Sequence, residues 1–231
     1  MNTYKHLFFD LDRTLYDFDA NNRNTLYHLY RHYRLWSIRG QGFDEFFKAY
    51  RPINFSLWEQ YKKKELTKPE LNHLRFALTF KELGIKEDIA GSFAAEYLRL
   101  SPLQTRLMPG AHETLMSLHG KYGLHIITNG FEEIQYQKLE RCGLTNYFDT
   151  VITSEAVGVQ KPDGKIFRYA LEKAGATVSE SLMIGDDPVS DILGAKQLGM
   201  DQIWLAAFGE STDTTPTHTI KNLKEILSIL S

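Results

Sequence analysis

Cysteine is almost absent from this chain: of 231 residues, only Cys142 carries a thiol. A single cysteine can neither close a disulfide within the chain nor build a thiolate metal cluster, so a reducing compartment is expected. In YQKLERCGL it reads as a small buried apolar residue. Net charge is nearly absent too. With 27 basic against 29 acidic residues the balance is −2, which excludes a bulk field that would draw a nucleic-acid polymer or an anionic lipid surface. No apolar stretch approaches the roughly 18 uninterrupted residues of a spanning helix. The opening MNTYKHLFFD lacks an apolar segment with a small-residue cleavage site. The expectation is a cytoplasmic protein, a monomer or small homo-oligomer, with no membrane partner. Its eight histidines show no spacing of the HExxH kind, and neither an internal repeat nor a low-complexity linker is present.

What is present is ample apolar material, 42% of the residues, enough for one large domain or two modest ones. HLFF (6–9), LHII (124–127), TVIT (150–153), LMI (182–184) and QIWLA (202–206) are short runs with little polar alternation. They read as strands of a parallel sheet covered on both faces. Helical patterns separate the later ones. KIFRYALEKAG sets Ile166, Phe167, Ala170, Leu171 and Ala174 on one face, with Asp163 as N-cap and Gly175 as stop. PVSDILGAKQLG sets Ile192, Ala195 and Leu198 at helical spacing, with Pro188 in the first turn and Gly199 at the end. Alternating strands and helices predict an α/β fold with a doubly wound, Rossmann-like parallel sheet.

The stretch from about 17 to 105 differs, with helix following helix and no convincing strand. Leu26, Leu29, Tyr30 and Tyr33 share a face, as do Leu71, Leu74 and Leu78, and Ile89, Phe93, Tyr97 and Leu100. Thr67 with Glu70 signals a capping box. The organisation is therefore an α/β core, residues 1–16 and 106–231, with an α-helical insert at 17–105 after the first strand. GESTDTTPTHT (209–219) reads as a loose stretch before a final helix.

The chemistry gathers where strands end. FFDLDRTLYD runs an apolar strand into two acids, Asp10 and Asp12, which a period of two directs to one side. Like charges in a partly buried place repel unless a cation or proton relieves them. GDDPVSD, after LMI, adds Asp186, Asp187 and Asp191. Carboxylates without nearby His or Cys suit Mg²⁺. HIITNG brings Thr128, Asn129 and the backbone of Gly130, donors that suit an anion, and VGVQKPDG brings Lys161, a point charge for phosphate. In open α/β sheets, ligands bind at the carboxyl ends of the strands, where all of these lie.

DLDRT (10–14), TN (128–129), KP (161–162) and GDDPVSD (185–191), in this order and each after a strand, resemble the four signatures of the haloacid dehalogenase (HAD) superfamily. The resemblance extends over the whole chain and makes the insert similar to that superfamily's cap domain. Within it, INFSLWEQYKKKELTKPELNHLRF (53–76) is similar to the YjjG-type pyrimidine 5'-nucleotidases. The resemblance implies a Mg²⁺-dependent phosphomonoester hydrolase working through an aspartyl-phosphate on a small phosphorylated metabolite, above all a nucleoside monophosphate. It makes Asp10 the nucleophile and Asp12 the general acid and base. Asp10, Asp186 and the backbone carbonyl of Asp12 become the metal ligands, with Asp191 orienting them and holding Lys161. Thr128, Asn129, Gly130 and Lys161 would bind the phosphoryl oxygens. Thr14 is expected to fix the loop. Asp187, where serine is frequent in the superfamily, stands as a secondary metal candidate or a helix cap. Arg13, also a departure from the common pattern, is expected to be structural or to face the cap.

The alternatives are a sugar-phosphate or other small-metabolite phosphatase of the phosphoglycolate type, a phosphomutase, a dehalogenase and a phospho-ligand binder without catalysis. A dehalogenase needs neither a proton for the leaving group nor a metal, and a mere binder does not need both Asp10 and Asp12. RHYRLWSIR (31–39) interleaves bases with aromatics, but without net positive charge it reads as the end of an amphipathic helix. Lys62 to Lys64 read as a solvated face, and Phe18 and Trp58 as core.

Overall fold

A computed structural model describes residues 4–37, 42–207, 209 and 211–231. Among them run six strands, β1 (His6–Phe9), β2 (Gly123–Thr128), β3 (Thr150–Thr153), β4 (Ser181–Gly185), β5 (Asp201–Leu205) and β6 (His218–Ile220). Ten α-helices accompany them: α1 (Phe18–His32), α2 (Phe43–Lys62), α3 (Lys68–Glu82), α4 (Ala90–Leu100), α5 (Ala111–Leu118), α6 (Glu132–Arg141), α7 (Ser154–Val157), α8 (Gly164–Ala174), α9 (Gly194–Gln197) and α10 (Ile226–Ile229). The chain divides into two compact units, one reaching to Phe18 and resuming at Thr105–Ser231, the other spanning Asp19–Gln104.

The first unit is built on a six-stranded, wholly parallel sheet of order β3-β2-β1-β4-β5-β6. β1 is central because HLFF is apolar on both faces. Leu7 and Phe9 join Leu124, Ile126, Leu182, Ile184 and Leu115 on one side, while Phe8 joins Ile127, Met183, Phe167 and Ala170 on the other. Two buried faces are what crossover helices on both sides of a doubly wound sheet require. The strand order reverses at β1, between β2 and β4, so the crevice at the switch point opens beside the ends of β1 and β4.

The second unit holds most of α1 and all of α2, α3 and α4 around an aromatic core. Phe76 and Phe93 lie with centroids 4.8 Å apart, and Phe80 meets Phe93 edge-on at 5.3 Å, arrangements that add to simple burial. The capping box forms as read, with Thr67 N–H donating to Glu70 Oε2 at 2.8 Å.

Several expectations need correction. Of Leu71, Leu74 and Leu78 on α3, only Leu71 is buried. Phe76 and Phe80 fix the helical phase by entering the aromatic core, so Leu78 is 39% exposed and polar Asn72, Arg75 and Thr79 are buried. Part of the loose 209–219 stretch is strand, since His218–Ile220 pairs with β5; only Ile220 is buried there, leaving no apolar run to read. The segment after Pro188 is not a plain α-helix but a wide π-type turn, Pro188–Leu193, that runs into α9, a shape that recurs at functional sites. Cys142 ends α6 half-buried, not buried. Of RHYRLWSIR, Trp36 is exposed, and residues 38 and 39 lie outside the described residues. Trp58 is likewise half-buried, with Tyr61 edge-on at 5.6 Å.

Candidate active site

The sheet brings the signature residues to one rim. Asp10 follows β1 and still donates its backbone N–H to Ile184 of β4 at 2.9 Å, so the ends of these strands are clamped side by side. Carboxylate oxygens of Asp10, Asp186 and Asp191 lie within 4.8 Å of one another. Lys161, arriving from the segment after α7, is buried among them. Its Nζ donates to Asp10 Oδ1 at 2.6 Å, Asp191 Oδ1 at 2.6 Å and the carbonyl of Ile127 at 2.7 Å, so each ammonium hydrogen has an acceptor.

Asn129 holds that lysine in place. Its side-chain amide accepts from Lys161 N–H at 2.8 Å and donates to Lys161 C=O at 3.0 Å, a two-way clamp on the backbone. Thr128, buried, accepts at Oγ1 from Gly130 N–H at 3.2 Å and from Gln135 Nε2 at 2.7 Å. With both lone pairs engaged, its hydroxyl has only a proton left to give. Gly130 is required by closeness, because a Cβ there would overlap the amide of Gln135. A Cβ on Gly185 would likewise overlap the carboxylate of Asp191.

The remaining expected residues have defined places. Thr14, buried, donates to Asp186 Oδ1 at 3.2 Å. Asp187 caps the following turn, its Oδ1 accepting from Val189 and Ser190 N–H at 2.9 Å each, and its charge adds to the repulsion on Asp186 and Asp191. Arg13 takes a left-handed backbone, φ 65°, in the tight turn where its N–H bonds Tyr16 C=O at 2.8 Å. Its charge tempers Asp186.

Electrostatics mark the trio as short of positive charge. Burial pushes the Asp10 carboxyl up to about 7; Lys161 opposes the rise, while Asp191 and Asp12 add to it. Asp186 is raised well above the ordinary carboxylate range by burial, then by repulsion from Asp10 and Asp191. Burial alone would lower Lys161, but Asp10 and Asp191 outweigh it and hold its ammonium firmly protonated. Hard oxygen donors and uncompensated negative charge, with no thiolate or imidazole in the group among the described residues, fit a hard divalent cation.

Three neighbours of the site escaped the sequence reading. Lys138 Nζ pairs with Asp12 Oδ1 at 2.5 Å, and Gln135 Nε2 donates to Asp12 Oδ2 at 2.8 Å, both from α6. Trp204 Nε1 donates to the carbonyl of Asp186 at 2.8 Å. Gln135 and Lys138 stand three apart on one helix face. A buried polar pair at that spacing, just after a donor-rich strand end, was the available signal.

A parallel sheet with an aspartate directly after β1, an acidic trio and a buried lysine defines a class, and a family model agrees: the haloacid dehalogenase-like hydrolases match residues 4–199. The chain belongs to that family and is a hydrolase. It is 36% identical to the pyrimidine 5'-nucleotidase YjjG of Escherichia coli (strain K12), over 97% of this chain and 96% of the relative. It is 35% identical to the pyrimidine 5'-nucleotidase PynA of Streptococcus pneumoniae (strain ATCC BAA-255 / R6), over 98% and 95% respectively. Among solved structures, the HAD-hydrolase YfnB from Bacillus subtilis bound to magnesium superposes with a TM-score of 0.88 at 29% identity, covering 98% of each chain. Among the described residues, no helix is long and apolar enough to cross a membrane.

Proposed function

We propose that the chain is a Mg²⁺-dependent phosphomonoester hydrolase that works through an aspartyl-phosphate on Asp10, with pyrimidine (deoxy)nucleoside monophosphates as its substrates. One arrangement supports this above all: buried Lys161 tying Asp10 to Asp191, with the carboxylate of Asp186 alongside. Asp10 Oδ1 takes the lysine bond, and Oδ2 has no hydrogen bond among the described residues, which leaves it for attack on phosphorus.

In the first half-reaction an oxygen of Asp10 bonds to phosphorus as the ester P–O bond breaks, and Asp12 gives its proton to the departing oxygen. In the second, Asp12 takes a proton from water, whose oxygen bonds to phosphorus and releases Asp10 and inorganic phosphate. The Thr128 hydroxyl and the Lys161 charge steady the phosphoryl oxygens where negative charge builds. Asn129 contributes by fixing the Lys161 backbone, Thr14 by holding Asp186, and Asp191 by anchoring Lys161. Asp10 and Asp186 would hold Mg²⁺ with their carboxylates, together with the Asp12 carbonyl, and the bound ion supplies charge that eases attack of one anion on another.

The helical unit is the proposed cap, which chooses the leaving group and excludes water. The nucleotide assignment draws on the printed activity of the relatives at 36% and 35% identity. Phosphate release from a panel of nucleotides, sugar phosphates and phosphoglycolate tests the proposal. The expected result is preference for dUMP or dTMP with Mg²⁺ present and none after chelation. Preference for a sugar phosphate overturns the nucleotide step, and release that survives EDTA overturns the metal.

A further inference from the structure

Helix α6 is polar in composition, EEIQYQKLER, yet it buries two residues able to serve chemistry. Gln135 is fully buried and Lys138 is 5% exposed. Burying an amide and an ammonium is unfavourable unless something answers them. What answers both is the carboxylate of Asp12. Lys138 Nζ lies 2.5 Å from Oδ1 and Gln135 Nε2 lies 2.8 Å from Oδ2, so each carboxylate oxygen has its own donor. The ammonium also stands over the rings of Tyr16 at 4.8 Å and Phe18 at 5.5 Å, which confine it from the other side.

Gln135 shows that the grip is not incidental packing. Its Oε1 is buried with no hydrogen-bond partner, while its Nε2 serves Asp12 and Thr128 together. A carboxylate accepts only, so the amide is turned to suit Asp12 at the expense of its own oxygen. One side chain thereby links Asp12 to Thr128 at the end of β2.

We propose that Lys138 and Gln135 are positioning residues that hold the Asp12 carboxyl group at the angle from which, protonated, it gives its proton to the leaving oxygen and, ionised, it takes one from water. The inference rests on the phosphohydrolase reading above and extends it to two residues on α6. Lys138 Nζ donates to Asp12 and stands over the Tyr16 and Phe18 rings, so it acts on turnover. Gln135 also orients the Thr128 hydroxyl, so it acts on turnover and on substrate affinity.

The test is a double-mutant cycle in the full-length protein with Mg²⁺, on the preferred monophosphate and on p-nitrophenyl phosphate, whose leaving group needs no proton and keeps slow variants measurable. Misplacing a catalytic group by about 1 Å costs on the order of 10²-fold. Lys138→Met is therefore expected to lower kcat by roughly 10- to 100-fold with KM unchanged, and Lys138→Arg, which retains charge and donors, to restore most of it. In an Asp12→Asn background, Lys138→Met should produce no further loss, and Gln135→Leu should raise KM as well as lower kcat. If the methionine variant does not fold, Lys138→Gln enters the same cycle. Equal losses in both backgrounds, or a loss confined to KM for Lys138, overturn the inference while leaving the phosphohydrolase intact. Wild-type protein that releases phosphate from no ester in the panel overturns that underlying reading, and this inference with it.

Discussion

The indole N–H of Trp204, on β5, donates to the backbone carbonyl of Asp186, one residue past β4, at 2.8 Å. Both groups are buried, so no bulk water replaces the donor if the indole is removed. Leaving a buried acceptor unpaired costs about 1–3 kcal/mol. Trp204→Phe is expected to lower stability by about that amount and to weaken Mg²⁺ binding roughly 10-fold, because the backbone that carries Asp186 loosens. Urea unfolding and a metal titration measure the two effects. Unchanged stability and affinity would mean that the bond positions nothing.

The pH dependence of the metal-free protein follows from Asp10. An ordinary aspartate titrates near 3.9, whereas burial holds this one at about 7. Between those values the folded state keeps a proton that the unfolded chain has lost, so stability falls as pH rises through the window. Without metal, the melting temperature is expected to be a few degrees lower at about pH 7.5 than at about pH 5.5, corresponding to roughly 1–2 kcal/mol. Mg²⁺ should stabilise more at the higher pH. Asp186→Asn, which removes one repelling carboxylate, should flatten the slope and abolish the Mg²⁺ effect. A metal-free protein that gains stability across the same interval would contradict the electrostatics.

Lys161 offers the sharpest stability effect. Its ammonium answers two buried carboxylates, and breaking a buried pair by removing one partner costs about 3–5 kcal/mol. Lys161→Met is expected to lose that much near neutral pH and to recover part of it in acid, where Asp10 and Asp191 take up protons. Its own ionisation adds no slope there, because the folded-state shift is upward and the contribution is complete below the unfolded value of about 10.4. Guanidinium unfolding at two pH values tests this; a variant as stable as wild type would remove the lysine from the account.

The phase of α3 is testable by a pair of truncations. Phe76→Ala opens the aromatic core and should cost about 3–5 kcal/mol, whereas Leu78→Ala, at an exposed position, should stay within about 0.5 kcal/mol. Comparable losses at both positions would restore the leucine stripe that the sequence favoured.

The core strands were legible because they are buried on both faces, so apolar runs such as HLFF and LMI stand out against polar surroundings. β6 was hidden because an edge strand with one buried residue, Ile220, has no pattern to detect. α3 misled because leucines at helical spacing imitate a core stripe. Its real core face mixes Phe76 and Phe80 with buried Asn72, Arg75 and Thr79, and polar residues inside a core carry no hydrophobic signal. At the site, short-range motifs exposed Asp10, Asp186 and Lys161. Residues that act through another residue, Gln135, Lys138 and Trp204, lie 123, 126 and 18 positions from the groups they hold, and spacing alone does not reveal such partners.

The central claim is that Asp10 carries the phosphoryl group. It is tested most directly by quenching the enzyme in acid during turnover of radiolabelled dUMP with Mg²⁺ and sequencing the labelled peptide. The account predicts label on the peptide containing Asp10, chased off as inorganic phosphate when quenching is delayed, and none in Asp10→Asn. Phosphate release with no labelled protein, or label on another residue, would contradict it.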